Sequence, residues 1–211
     1  MDEINSCNGP SGLDPNRLVA QPLLQSCYAE TLRLRVTNGM VRQNDSEPFV
    51  MGNGYRVPKG EPMVIFTHHP SLNEESWNST RSSSTDVPLT QFHAERFLVP
   101  DDTVEENTSN GNVPGADVEG GKYKFSLDGL AGLWLPYGGG QRMCPGRHFA
   151  KAEMLSTLSL LLSQFDLELM DTDKFQPKPD SNWFPTGALP PDCKVPFRMR
   201  RRAKATYDID G

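Results

Sequence analysis

The chain has 211 residues, only 36% of them hydrophobic, with 18 glycines and 18 prolines, which points to a modest core and long loops in one medium domain or two small ones. A net charge of −6 excludes general nucleic-acid binding, and no apolar run is long enough to span a bilayer. The four cysteines, Cys7, Cys27, Cys144 and Cys193, form no CxxC pair, so neither a zinc ribbon nor a disulfide framework is supported. The three Asn-x-Ser/Thr triplets, at Asn44, Asn78 and Asn107, read as chance matches without a secretion signal.

In chain order, residues 1–17 are polar and turn-rich and are expected to form a loose N-terminus. A helix is expected from about Leu18 to Leu34, where Leu24, Cys27, Tyr28 and Thr31 fall at helical spacing. Glu30 and Arg33 share a face of it. By itself such a pair is a surface contact worth under about 1 kcal/mol. On a buried helix, Glu30 would instead supply part of the planar set of acceptors that a guanidinium needs.

From Val41 to Phe66 the pattern changes to short strands, with turn chemistry at Gly52-Asn53-Gly54 and Pro58-Lys59-Gly60 and an apolar run, Met63 to Phe66, that reads as a buried strand. His68 and His69 are adjacent and in a strand would face opposite ways, a poor pair of metal ligands. Leu72 to Trp77 reads as one helical turn and Ser79 to Thr85 as a low-complexity loop. Asp101 to Gly121 holds six acidic residues and no basic one, and is expected to be a disordered or exposed insertion.

The stretch Leu133 to Glu153 carries the chemistry. Gly138, Gly139 and Gly140 lead to Arg142, then to Cys144, Pro145 and Gly146, and then into a long helix. A cysteine between a glycine-rich loop and a helix is placed to act as a thiolate, because a helix N-terminus offers unpaired N–H groups and positive potential. The helix is expected to begin near Cys144 or Pro145, since proline suits a first helical turn. Met154, Leu158, Leu161 and Phe165 form an apolar stripe, widened by Leu155 and Leu162, that predicts a buried helix. Phe165 to Met170 and Val195 to Met199 read as strands on either side of a proline-rich loop. Five positive charges between Arg198 and Lys204 read as a solvated strand end in preference to a nuclear signal or lipid contact.

Rival readings of the glycine run are weaker. A dinucleotide fingerprint would need a third glycine where Met143 stands, and a P-loop would need Gly-Lys-Ser/Thr. A cysteine nucleophile would need a histidine base, and His148 lies one turn into the helix.

Tyr137-Gly138-Gly139-Gly140-Gln141-Arg142-Met143-Cys144-Pro145-Gly146 resembles the haem loop F-x-x-G-x-R-x-C-x-G of the cytochrome P450 family, with tyrosine in place of the first aromatic. Two further family motifs occur in order. Glu30-Thr31-Leu32-Arg33 is similar to E-x-x-R, and Ala94-Glu95-Arg96-Phe97 to P-E-R-F with the proline lost. The residues around Tyr55 to Gly60 also resemble the family's strand pair between these motifs. The resemblance implies an α+β fold, mainly helical with small β-sheets, equivalent to the C-terminal part of the family fold, spanning about residues 18 to 211 with its distal helices missing.

The resemblance also implies a haem cofactor with Cys144 as the axial ligand of its iron, a ligation that defines this family. Arg142 is placed to meet a haem propionate. Arg42 aligns with a family arginine of similar role, while a plain surface arginine fits that looser alignment as well. Tyr137 keeps a flat ring in the loop, and Gly140 and Gly146 present no side chain to the porphyrin. Glu30, Arg33 and Arg96 are implied to form a buried structural triad. The activity implied is a monooxygenase that inserts one oxygen atom from O2 into an apolar organic substrate, with electrons from an NADPH-dependent reductase docked near Arg147 and Lys151. Full-length members sit at the endoplasmic reticulum membrane, and the sequence weakly resembles the family's sterol-hydroxylating and prostacyclin-synthase-like branches.

A complete member of the family is much longer. Residues 1–17 do not resemble the distal helix, whose acid–alcohol pair delivers protons to bound oxygen. The alternative expectation is therefore a truncated haem-binding fragment or an incomplete gene model without catalytic activity. Such a chain would expose apolar faces made to pack on absent helices, Met154, Leu158 and Leu161 foremost, and would be marginally stable.

Overall fold

The structure is a computed structural model that describes residues 1–9, 12–81, 87–101, 123–170, 177–180, 182 and 186–202. In chain order, α1 (Asp2–Ser6) precedes a small hairpin of β1 (Asn8–Gly9) and β2 (Gly12–Leu13), then α2 (Pro15–Leu18) and α3 (Pro22–Arg35). There follow β3 (Val36–Gln43), β4 (Phe49–Val50), β5 (Arg56–Val57), β6 (Pro62–Phe66), α4 (His68–Ser71) and α5 (Glu74–Thr80). The last third holds β7 (Leu98–Pro100), β8 (Tyr123–Phe125), a 3-10 turn at Gly140–Arg142, α6 (Arg147–Gln164), β9 (Phe165–Leu169), β10 (Thr186–Ala188) and β11 (Phe197–Arg201). The sheets are small and antiparallel: β10-β3-β6 has three strands, and β1-β2, β4-β5, β7-β8 and β9-β11 are pairs. This is the α+β class expected.

The N-terminus differs from the loose segment that composition suggested. Ile4, Cys7 and Leu18 are buried together, with Leu13, Leu24 and Leu162 packed around them. Asp14 caps α2, its carboxylate accepting from the Asn16 N–H at 2.9 Å, and Pro15 sits at the first helical position. The Glu3 carboxylate accepts from the N–H groups of Leu23 and Leu24 at 2.9 and 2.8 Å. Gln21, at the N-cap position of α3, supplies no side-chain bond, so Glu3 satisfies orphan donors of that helix from outside and sits at the favourable end of its dipole.

Helix α3 organises the rest, and its central feature is Glu30, which is fully buried. Its carboxylate accepts from Arg33 Nε at 2.6 Å and Nη2 at 2.8 Å, from Arg96 Nε at 2.9 Å and from the His93 N–H at 3.1 Å. Each guanidinium is completed by backbone carbonyls. Arg33 reaches Ser71 O at 3.0 Å, and Arg96 reaches Pro88 O at 3.0 Å and Gln91 O at 3.1 Å. The network thus ties α3 to α4 and to the segment 87–97. Beside it Ala29, Trp77, Leu89, Phe97 and Leu130 form the main apolar cluster. Phe97 meets Trp77 and Trp134 edge-on, at 5.9 and 6.1 Å between ring centres.

Two strongly apolar elements are more exposed than their patterns predict. β6 is open at Val64 (55%) and Phe66 (54%), which corrects the buried strand read from its sequence. α6 buries Leu155 and Ser159, while Met154, Leu158 and Leu161 stay exposed. The broad apolar stripe therefore does not make α6 a buried helix. It packs by one edge, and the side chains singled out as facing absent helices are the open ones. His68 and His69 open the short helix α4 and do not lie in a strand. The Asp101 to Gly121 insertion falls outside the described residues except for Asp101, whose carboxylate pairs with Lys124 at 3.4 Å. β9 matches its expected strand and β11 lies two residues beyond its own; Arg198 on β11 pairs with Glu168, and Arg202 just past it with Asp166.

Removing the Glu30 charge by Glu30→Gln leaves two buried guanidinium groups short of their anion. Breaking such a pair costs about 3–5 kcal/mol, a large share of ordinary domain stability, so urea denaturation followed by circular dichroism should show a greatly lowered or absent transition. Glu3→Ala removes a cap and should cost about 1 kcal/mol in the same measurement; an unchanged midpoint would detach residues 1–9 from the fold. Burial, with the positive charges of His69 and Arg33 behind it, holds the His68 imidazole below its ordinary value. The unfolded chain therefore takes up this proton first as pH falls. The corresponding stability is intact above about pH 6.5 and declines below it. The urea midpoint should fall between pH 7.5 and 5.5, and less steeply in His68→Phe.

Candidate functional site

The loop from Leu135 to Gly146 is shaped by its glycines. Gly138 has φ +77°, and a Cβ built there would lie 3.2 Å from Met40 Sδ. Gly138 donates to Leu135 O at 3.1 Å, closing a turn. Gly140, at φ +70°, begins the 3-10 turn that Met143 closes by donating to Gly140 O at 3.1 Å. The Cys144 N–H then returns to Tyr137 O at 3.0 Å, so the residues between them form a closed loop. α6 begins at Arg147 with Gly146 as its N-cap, leaving Cys144 three residues ahead of the helix instead of in its first turn. Arg147 Nη1 donates to Cys144 O at 3.0 Å.

Two consecutive elements hold this loop. β3 supports it through alternate residues, which point to the same face of a strand. Asn38 Nδ2 donates to Pro136 O at 3.0 Å, Met40 fills the space at Gly138, and Arg42 Nη2 donates to Gly139 O at 2.7 Å. α3 holds it through Trp134 Nε1, which donates to Ala29 O at 3.0 Å, and through a hydrogen bond between the hydroxyls of Tyr28 and Tyr137. Burial is the main reason that both phenols are pushed up from their ordinary pKa.

The structure thus gathers Tyr137, Gly140, Cys144, Gly146 and Arg142 in one loop and brings Arg42 onto it. Arg42 is engaged with loop backbone, a contact that sequence spacing did not suggest. Asn38, Tyr28 and Trp134 were missed altogether. The alternation of Asn38, Met40 and Arg42 was available as a signal, but only with the strand begun at Val36 and not at Val41. Glu30, Arg33 and Arg96 lie together in the α3 network. Lys151, expected as a reductase-docking charge, is half-buried; its Nζ donates to Gln25 Oε1 at 2.5 Å and sits 5.5 Å over the Phe125 ring.

Around Cys144 the chemistry is open and apolar. The thiol is exposed, as are Met143, its neighbour in sequence, and Phe149 in the first turn of α6, the last to 73%. A Cβ at Gly140 or Gly146 would meet nothing within 4 Å. Among the described residues no three His, Cys, Asp or Glu side chains converge on a metal-sized site. A metal at Cys144 would then take one soft protein ligand and draw the others from a bound group. Apolar space, two glycines and nearby arginines suit a flat, anionic, largely apolar group such as haem. A cavity of about 530 Å³ lies on the α3 side of the loop, walled by Leu130, Trp134 and Tyr137 and edged by Met143, Arg147 and His148.

Comparison with known proteins agrees with these features. The family model for cytochrome P450 matches residues 3–195. The cytochrome P450 monooxygenase fsoE of Humicola fuscoatra is 40% identical over 92% of this chain and 33% of its own length. The cytochrome P450 monooxygenase efuG of Hormonema carpetanum is 40% identical over 90% of this chain and 33% of its own. The heme domain of a cytochrome P450DA mutant superposes with a TM-score of 0.61 at 16% identity, over 95% of this chain and 36% of that one. The chain spans about a third of the length of the curated relatives it matches. It belongs to the cytochrome P450 family, whose members are haem monooxygenases.

Proposed function

We propose that the chain supplies the thiolate side of a haem monooxygenase site, with Cys144 as the protein ligand of the iron. The single observation that carries this is the exposed Cys144 thiol at the closed end of a loop fixed by both α3 and β3, beside open space at Gly140 and Gly146. When bound, haem supplies an iron at which dioxygen is activated, one oxygen atom entering an apolar organic substrate and the other leaving as water. The chain's own residues hold and orient. Cys144 offers a soft anionic sulfur, and the backbone bond to Tyr137 O fixes where that sulfur stands. Gly140 and Gly146 leave room for a ring to approach. Arg142 is free to meet a propionate at the exposed edge. Arg42 holds Gly139 O through Nη2 and Val41 O through Nη1, which leaves Nε as the donor it can offer the same anion without giving up a bond. Glu30, Arg33 and Arg96 keep α3 in register beneath the loop.

Electrons from an NADPH-dependent reductase would enter from the side edged by Arg147 and His148, with Lys151 already committed to Gln25. Among the described residues no helix is long and apolar enough to cross a membrane. Association with the endoplasmic reticulum membrane is proposed for full-length members of the family. A second reading, a haem-holding portion that does not turn over by itself, is favoured by the exposed apolar faces of β6 and α6 flanking the site.

The test is spectroscopic. Purified chain titrated with haem, reduced and exposed to carbon monoxide should give a thiolate-type ferrous–CO band, and Cys144→Ala should abolish it. Absence of haem uptake, or a spectrum unaltered by the substitution, would falsify the ligand assignment. Turnover of an apolar substrate with added reductase then separates the monooxygenase from the haem-holding portion.

A further inference from the structure

Tyr28 and Tyr137 are the unusual pair of this site. They are far apart in sequence, both rings are largely withdrawn from solvent, and their hydroxyls meet. Tyr137 has a second function through its backbone, because its carbonyl receives the Cys144 N–H at 3.0 Å. The residue at the base of the cysteine loop is therefore the one whose side-chain tip reaches α3. Its ring packs edge-on to Trp134 at 5.8 Å, and the Trp134 indole is bonded to Ala29 O, one residue beyond Tyr28. Tyr28 is packed with Leu32 and Leu155, and the Glu30 ion network lies two residues further along the same helix. Cys144 is exposed, so its own side chain does little to fix its position.

We propose that the Tyr28–Tyr137 hydroxyl pair is a positioning clamp that transfers the rigidity of α3 to the Cys144 loop. The proposal rests on the reading of Cys144 as the iron ligand and deepens it. Ring packing alone keeps Tyr137 near Trp134 but leaves the ring free to slide along the indole. The hydroxyl bond adds a directional constraint at the far end of the side chain, and that constraint passes through the Tyr137 backbone to Cys144.

Tyr137→Phe and Tyr28→Phe each remove one oxygen and keep the ring. Amide hydrogen exchange on the full haem-free chain reads the loop directly, since the Cys144 N–H is protected by the bond to Tyr137 O. Each variant should speed exchange of the segment 138–144 by about fivefold, the size of one net hydrogen bond. The β9–β11 hairpin and the α1 region around buried Cys7 should be unaffected. The double variant should exchange no faster than either single one, because both remove the same bond. In the haem-loaded chain each variant should move ferrous–CO intensity from the thiolate-type to the thiol-type band at equal haem content. Unchanged exchange in 138–144, additive effects in the double variant, a general rise that includes the Cys7 region, or an unaltered band ratio would each overturn the clamp. Failure of the unsubstituted chain to take up haem would count against the ligand assignment alone, since the exchange result stands without haem.

Discussion

Four hydrogen bonds converge on one buried carboxylate, and the site depends on them. Glu30 is surrounded by Arg33, Arg96 and the His93 N–H, in a volume that holds two positive charges and one negative. The surplus charge is spread onto carbonyl oxygens of Ser71, Pro88 and Gln91. Buried ion networks of this kind contribute little net stability over an apolar core, because desolvation consumes most of the Coulomb attraction. What they supply is geometry: each guanidinium has one orientation that satisfies all of its donors. That requirement sets the axial position and rotation of α3 against α4 and the segment 87–97.

The consequence reaches Cys144 in two short steps. Tyr28 and Ala29, just before Glu30, hold Tyr137 and Trp134. β3 starts directly where α3 ends, so Asn38, Met40 and Arg42 are placed by the same helix. The loop is thus gripped from two sides by one continuous stretch of chain, 28–42. A displacement of α3 would move both grips together. On the clamp proposed above, the cysteine loop follows α3 as a body.

What could be read from the residues, and what could not, follows the range of the forces involved. The i,i+3 spacing of Glu30 and Arg33 is local and the structure pairs them, but it buries a contact that spacing alone would leave at the surface; the glycine pattern before Cys144 is local too, yet Cys144 stands three residues ahead of α6 instead of at its start. The small strands at Arg56–Val57 and Phe165–Leu169 were legible through turn residues and alternation. The N-terminal segment was not, because one i,i+3 pair, Ile4 and Cys7, is too short a pattern to mark a helix, and its burial with Leu18 depends on Leu24 of α3 and Leu162 of α6, distant in sequence, as well as on Leu13. One local cue was overlooked there: Asp14-Pro15 is a helix start, with a capping carboxylate followed by proline at the first position. β10 was equally hidden. Thr186-Gly187-Ala188 has no strand-like alternation, and it pairs with β3 because the edge of that strand is open to it.

The exposed apolar faces show where a hydrophobic pattern states a requirement without naming the partner. On α6 the stripe of Met154, Leu158 and Leu161 is as regular as that of a buried helix, yet Leu155 and Ser159 are the residues that are covered. On the β3–β6 sheet, Asn38, Met40 and Arg42 serve the cysteine loop, while Val41 and Val64 are open. β3 therefore has one face committed to the loop, α6 has one edge covered, and each element leaves further apolar side chains in solvent. Apolar side chains at that density on a second face are costly in water, and relatives about three times as long contain chain enough to cover them. The two kinds of surface meet different demands: Asn38, Met40 and Arg42 are committed to the cysteine loop, while Val41, Val64, Met154, Leu158 and Leu161 keep apolar area in water.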